Sequence, residues 1–178
     1  MKVQSSVLAK ITLPTWVTLS RLLAVPVILV VFNFGSGTAQ REIALAAFLL
    51  GALTDWLDGY LARSLNQVSE LGKFLDPLVD KLLIIAPLLI LVELGEVPAW
   101  GVFILIAREI LITAWRGKPT ESTSQIPAAN IWGKLKTVFQ IVAIAALLIQ
   151  LPHAIWLFWL ALILTVISGI LYVIPNHL

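Results

Sequence analysis

Six long apolar stretches, separated by short polar segments, fill most of this 178-residue sequence. Each approaches the ~20 residues that a helix needs to cross the hydrocarbon core of a bilayer. Hydrophobic residues make up 60% of the chain and charged residues only 12%, against about 25% charged in an average soluble domain. The sequence therefore predicts an all-α integral membrane protein in which residues 1–178 form a single membrane domain. The six expected transmembrane helices are Thr15–Phe34, Arg41–Ala62, Phe74–Glu93, Ala99–Trp115, Trp132–Gln150 and Ile155–Ile174.

Basic residues are distributed unevenly between the two ends of these spans. With an even number of spans, both termini lie on one side. The basic residues on or near that side are Lys2, Lys10, Arg63, Lys73, Arg116, Lys118, Lys134 and Lys136. The opposite loops contain only Arg41. Because short cytoplasmic loops carry an excess of Lys and Arg, we expect both termini to be cytoplasmic in a cell inner or plasma membrane.

The composition excludes several function classes. The chain has no cysteine, so disulfides, thiol nucleophiles and thiolate metal sites are absent. Its two histidines, His153 and His177, lack the spacing of a zinc site. A net charge of +2 is too small to indicate a nucleic-acid partner, and it suits basic residues placed at a membrane surface.

Four aspartates are concentrated in the second and third apolar stretches, where ionisable groups are costly. Each charge near the bilayer centre costs at least about 2.5–3.5 kcal/mol. Asp55 and Asp58 are three residues apart, and Asp76 and Asp80 are four apart, so each pair shares one helix face. The two spans are antiparallel neighbours joined by a short loop, so the acidic faces can meet near the cytoplasmic end.

Two interpretations of these aspartates are open. In the structural one, they pair with Arg63, Lys73 or Lys81 and hold helices together. In the functional one, bound divalent cations relieve the repulsion among the carboxylates. Oxygen ligands suit hard ions such as Mg²⁺, Mn²⁺ or Ca²⁺, and two such ions would form a phosphoryl-transfer site. Two facing acidic pairs favour the functional interpretation.

The segment from Asp55 to Asp80, DWLDGYLARSLNQVSELGKFLDPLVD, follows the pattern D-x-x-D-G-x-x-A-R-x8-G-x3-D-x3-D. This pattern resembles the signature of the CDP-alcohol phosphatidyltransferase family at all eight of its positions. The resemblance implies a membrane fold of six helices, often dimeric, with two Mg²⁺ or Mn²⁺ ions in a site open to the cytoplasm. The positions are Asp55, Asp58, Gly59, Ala62, Arg63, Gly72, Asp76 and Asp80.

The resemblance also implies a role for each motif residue. Asp55, Asp58 and Asp76 would ligate metal, and Asp80 would lie at the metal site and act as general base. The residues implied in contact with the cytidine and diphosphate of the CDP donor are Asp58, Gly59, Ala62, Arg63 and Gly72, with Thr18 of the first span.

Stretches outside the motif resemble the phosphatidylglycerophosphate synthase branch of this family. The first span contains T-x-x-R-x4-P at Thr18, Arg21 and Pro26. AREILITAWR and IWGKLKTVFQ resemble the fourth span and the opening of the fifth span of that branch. The resemblance implies transfer of a phosphatidyl group from CDP-diacylglycerol to glycerol-3-phosphate in a single displacement that releases CMP.

Four cations are candidates to bind the phosphate of the acceptor: Arg108, Arg116, Lys134 and Lys136. Arg108 lies eight residues before Arg116, which is ~12 Å along a helix, so it needs an anion such as Glu109, an aspartate or a substrate phosphate. The polar loop RGKPTESTSQIPAAN departs from the branch pattern and leaves another acceptor, such as inositol phosphate, open. A divalent-cation transporter is the alternative from another class, although the outer halves of the spans carry acids only at their edges.

Overall fold

Six α-helices make up nearly all of the chain that the structure describes. The computed structural model describes the backbone of residues 13–35, 37–65, 70–116 and 131–173, and the side chains of residues 21–35, 37–54, 77–114 and 133–171. No strand occurs in these ranges. The all-α prediction is confirmed, and each helix boundary lies within four residues of the expected one. The helices are α1 (Leu13–Phe34), α2 (Thr38–Leu65), α3 (Glu70–Glu93), α4 (Ala99–Arg116), α5 (Ile131–Leu148) and α6 (Ala154–Val173).

One helix in the described ranges, α6, is by itself long and apolar enough to cross a membrane, over Ala154–Leu171. A shorter apolar segment covers Arg21–Phe34. The helices α2 and α3 combine apolar residues with the aspartates of the motif, which lowers their apolar character. The arrangement of six spans with cytoplasmic termini therefore stays a prediction.

The chain divides into two compact units, Met1–Pro87 and Leu88–Leu178, with the boundary inside α3. In the first unit α1 packs against α2. The buried apolar side chains of this unit include Ile28, Ala44, Phe48, Val79 and Leu83. In the second unit α6 packs against both α4 and α5. The buried apolar side chains of this unit include Leu91, Val102, Leu105, Ile144, Leu148, Phe158 and Ala161.

Many large apolar side chains are exposed in both units. Examples are Leu23, Phe34, Phe103, Leu111 and Trp156. A soluble monomer seldom exposes continuous apolar surface larger than a few hundred Å². The exposed surface therefore suits a lipid environment better than water.

Short turns connect α3 to α4 and α5 to α6. After α3, Gly95 adopts a left-handed conformation with φ of 71°, and the amide of Glu96 donates to the carbonyl of Leu91 at 2.9 Å. After α5, Gln150 has φ of 54°, and the amide of Leu151 donates to the carbonyl of Ala146 at 2.9 Å. These bonds satisfy carbonyls at the helix ends, so each following helix can begin within a few residues.

Gly51 lets α2 approach α3 closely in the first unit. A Cβ atom at this position would lie 2.8 Å from Cδ1 and 3.0 Å from Cδ2 of Leu83, which is itself buried. In contrast, none of the described residues lies within 4 Å of a Cβ atom built on Gly133 of α5. The two helical glycines therefore form a matched pair for testing this contact.

We expect Gly51→Val to lower the free energy of unfolding by about 1–3 kcal/mol, because the added methyl groups overpack a buried contact. Gly133→Val, which meets no described neighbour, should leave the free energy of unfolding unchanged or slightly higher. The measurement is unfolding of the detergent-solubilised protein, followed by circular dichroism. Equal effects at both positions would contradict the close approach at Gly51.

Candidate functional site

An ion pair between α1 and α3 is the best-described feature of the acidic region. The Arg21 Nη1 atom donates to the Asp80 Oδ1 atom at 2.5 Å, although 59 residues separate the two in sequence. The Arg21 side chain is 1% exposed and the Asp80 side chain is 41% exposed. A buried guanidinium therefore holds the Asp80 carboxylate on one side, while part of that side chain stays accessible.

This pair differs from the helix-pairing contacts that the sequence suggested. Lys81, one of the partners considered for the aspartates, donates from Nζ to the backbone carbonyl of Pro77 at 2.7 Å. Asp80 accepts a hydrogen bond from Arg21, which the sequence analysis placed only in the first-span motif. Since a charged hydrogen bond at this distance fixes the orientation of a carboxylate, Arg21 can position Asp80 for chemistry.

The backbone of α2 and α3 carries the remaining motif residues. Asp55 and Asp58 lie in one helix and Asp76 and Asp80 in the next, so the helical spacing expected for each pair is present. The side chains of most predicted donor-site and metal residues lie outside the described residues. They are Thr18, Asp55, Asp58, Gly59, Ala62, Arg63, Gly72 and Asp76.

The donor set fits a hard divalent cation by its chemistry. Asp80 contributes a partly exposed carboxylate, and the three other aspartates of the motif would add further oxygen ligands. Among the side chains that the structure describes, no group of three or more acidic, histidine or cysteine residues is gathered. The metal site that the motif implies would draw on Asp55, Asp58 and Asp76, whose side chains lie outside the described residues, together with Asp80.

A second charged cluster lies in the other unit, between α4, α5 and α6. The Glu109 Oε1 atom accepts from Arg108 Nη1 at 3.3 Å and also pairs with the Nζ atom of Lys136. Arg108 Nη2 donates to the Ser168 hydroxyl at 2.7 Å. The Arg108, Glu109 and Lys136 side chains are 13%, 20% and 10% exposed. Among the described side chains, Arg108 and Lys136 share the Glu109 carboxylate, and two cations this close together suit an anionic ligand such as a phosphate.

The four predicted acceptor-phosphate residues differ in their placement. Arg108 and Lys136 both contact the Glu109 carboxylate. Glu109 is one of the anions that the sequence analysis expected next to Arg108, because Arg108 lies far from the end of its helix. Lys134 is exposed, two residues before the buried Lys136. Arg116 ends α4, and its side chain lies outside the described residues.

Three polar residues next to this cluster were missed by the sequence analysis. Ser168 accepts from Arg108, and one turn away Gln140 Nε2 donates to the Thr165 hydroxyl at 3.0 Å. The Thr165 hydroxyl donates in turn to the carbonyl of Ala161 at 2.7 Å. All three side chains are buried. The sequence could have indicated these residues, because each is a polar residue within an otherwise apolar helix.

Comparison with known proteins agrees with the motif. A model of the CDP-alcohol phosphatidyltransferase family matches residues 11–167. A CDP-diacylglycerol–glycerol-3-phosphate 3-phosphatidyltransferase of Bacillus subtilis (strain 168) is 40% identical, covering 92% of this chain and 94% of that protein. A second such enzyme, from Arabidopsis thaliana, is 37% identical over 91% of this chain and 78% of its own length. A probable phosphatidylglycerophosphate synthase of Mycobacterium tuberculosis (strain ATCC 25618 / H37Rv) is 39% identical over 88% of this chain and 77% of its own length.

A double-mutant cycle on Arg21→Ala and Asp80→Ala should reveal direct coupling between the two side chains. We expect a coupling energy of about 0.5–3 kcal/mol, in the lower part of this range because Asp80 is partly exposed. The measurement is the free energy of unfolding of both single variants and of the double variant. A parallel cycle on Lys81→Met and Asp80→Ala is the control and should give no coupling. Equal coupling in the two cycles would contradict a specific Arg21–Asp80 pair.

Proposed function

The chain belongs to the CDP-alcohol phosphatidyltransferase family, and we propose that it transfers the phosphatidyl group of CDP-diacylglycerol to glycerol-3-phosphate with release of CMP. The observation that carries this proposal is similarity to enzymes named for that reaction over 92% and 91% of the chain. The complete motif between Asp55 and Asp80 supports the same chemistry.

The motif aspartates are the proposed ligands of two divalent cations, Mg²⁺ or Mn²⁺. Asp55, Asp58, Asp76 and Asp80 offer only oxygen atoms, which these hard ions prefer. When bound, such cations neutralise the diphosphate of the donor and polarise the phosphorus under attack. In this proposal, the remaining motif residues and Thr18 bind the cytidine and diphosphate of the donor. Asp58 both binds metal and contacts the donor. These further donor residues are Gly59, Ala62, Arg63 and Gly72.

Asp80 is the proposed general base. Its carboxylate takes the proton of the primary hydroxyl of the acceptor while the hydroxyl oxygen bonds to the phosphorus of the phosphatidyl group. The bond from that phosphorus to the CMP oxygen breaks, and CMP leaves with the electron pair. Arg21 holds the Asp80 carboxylate from the side of α1. A general base of this kind typically accelerates a reaction by about 10²–10⁴-fold.

Arg108 and Lys136 are the proposed ligands of the acceptor phosphate. The guanidinium of Arg108 presents a planar fork that matches phosphate oxygens, and Lys136 adds a second positive charge. Among the described side chains, both cations contact Glu109, which brings them together. Lys134 and Arg116 complete the proposed set, with Lys134 in an exposed position.

The proposal includes six transmembrane helices with both termini in the cytoplasm and the site on that side of a cell inner membrane. Exposed apolar side chains in both units and the distribution of basic residues support this arrangement. CDP-diacylglycerol would reach the site with its acyl chains still among the membrane lipids. A homodimer is the proposed assembly, by resemblance to the family.

A panel of acceptors should identify the substrate. With CDP-diacylglycerol and Mn²⁺ or Mg²⁺, we expect glycerol-3-phosphate to support the fastest CMP release and to give phosphatidylglycerophosphate, since Arg108 and Lys136 are the proposed ligands of its phosphate. Removal of divalent cations with EDTA should stop the reaction. The measurements are CMP release and identification of the product lipid. A faster reaction with inositol phosphate would reassign the acceptor, and cation uptake into vesicles without CMP release would point to a transporter.

Asp80→Asn should reduce CMP release by about 10²-fold or more, because the amide has no basic oxygen to accept the proton. Circular dichroism should show that the variant is folded. The matched control is Glu93→Gln, the same chemical change at the exposed end of α3, which should leave CMP release unchanged. Near-normal CMP release by Asp80→Asn would contradict the assignment of Asp80 as general base.

A further inference from the structure

The Arg108 side chain lies against α6 at two consecutive residues. Its Nη2 atom donates to the Ser168 hydroxyl at 2.7 Å, and its stem passes over Gly169. A Cβ atom on Gly169 would lie 3.1 Å from both Cγ and Nε of Arg108 and 3.7 Å from Cδ. The first two distances are tighter than ordinary contacts, so a larger residue at 169 would displace the arginine.

The two contacts restrict different parts of the same side chain. Gly169 sets how closely the stem approaches α6, whereas Ser168 and Glu109 hold the guanidinium head. A free arginine side chain has many rotamers, so fixing it costs conformational entropy. Because most of this freedom is already removed in the fold, less is lost when an anion binds, and the fork is held in one orientation.

Ser168 differs from Glu109 in charge. Its hydroxyl accepts a hydrogen bond from the guanidinium without neutralising the positive charge, whereas the Glu109 carboxylate is shared with Lys136 and balances part of that charge. An uncharged anchor of this kind orients an arginine and leaves its attraction for a phosphate intact. Ser168 and Gly169 lie outside the family motif and outside the four cations expected to bind the acceptor.

We propose that Ser168 and Gly169 are positioning residues that set the affinity for the acceptor phosphate by fixing the Arg108 guanidinium against α6. This inference rests on the proposed function, in which Arg108 binds the phosphate of glycerol-3-phosphate. It adds a specificity role for α6, which supplies no charged ligand of its own among its described residues.

The test compares substrate affinities in the purified full-length enzyme. Ser168→Ala should raise the KM for glycerol-3-phosphate by about tenfold, the scale of a lost hydrogen bond to a charged group. The KM for CDP-diacylglycerol and kcat should stay near those of the wild type. Gly169→Ala should change the same KM in the same direction, and Ser168→Thr, which keeps the hydroxyl, should retain wild-type affinity. Equilibrium binding of radiolabelled glycerol-3-phosphate gives a second readout that does not depend on turnover.

Thr165→Val is the matched control on the same helix. It removes the buried bond from Gln140 to Thr165 and leaves both Arg108 contacts in place. It should lower thermal stability and leave the KM for glycerol-3-phosphate unchanged. If Ser168→Ala reproduces this pattern instead, its role is structural and the proposal is overturned.

Arg108→Lys separates failure of this inference from failure of the proposed function. If Arg108→Lys raises the KM for glycerol-3-phosphate while Ser168→Ala and Gly169→Ala leave it unchanged, the positioning proposal alone is wrong. If the wild type does not use glycerol-3-phosphate, or Arg108→Lys has no effect on its KM, the assignment of the acceptor site fails and this inference fails with it.

Discussion

A charged side chain inside an apolar helix needs a polar partner to replace its lost hydration. Each unit of the chain contains such a contact. In the first unit, Arg21 of α1 meets Asp80 of α3. In the second, Glu109 of α4 pairs with Lys136 of α5 while its neighbour Arg108 bonds to Ser168 of α6. Each contact joins different helices. Residues proposed for catalysis and for acceptor binding therefore also link different helices.

The helices and the motif positions could be predicted from the sequence because both depend on local patterns. Apolar runs near the length of a bilayer, interrupted by Gly, Pro and polar turns, placed all six helices. The spacing from Asp55 to Asp58 and from Asp76 to Asp80 placed each pair in one helix, which the structure bears out in the backbone. The aspartate side-chain arrangement that would hold metal stays a prediction, since only Asp80 is described at that level.

The contacts within the sites could not be predicted in the same way, because they depend on how helices rotate against one another. Arg21 and Asp80 are 59 residues apart, and no spacing rule connects them. Lys134 and Lys136 were assigned together, yet residues two apart point to different sides of a helix. The structure leaves Lys134 exposed and buries Lys136. Helical periodicity alone could have separated these two lysines, whereas the contact to Ser168 required the packing of α4 on α6.

The carboxylate of Glu109 also affects how an anion would bind to Arg108 and Lys136 and be released from them. Its negative charge already lies next to both Arg108 and Lys136, as the charge of a bound oxyanion would. A phosphate bound by these cations, as proposed, would compete with Glu109 for them, so its net gain in binding free energy would be smaller than the full ion-pair energy. The same carboxylate lowers the cost of burying Arg108 and Lys136 in a medium of low dielectric constant. For the proposed acceptor, this competition favours fast release over tight retention.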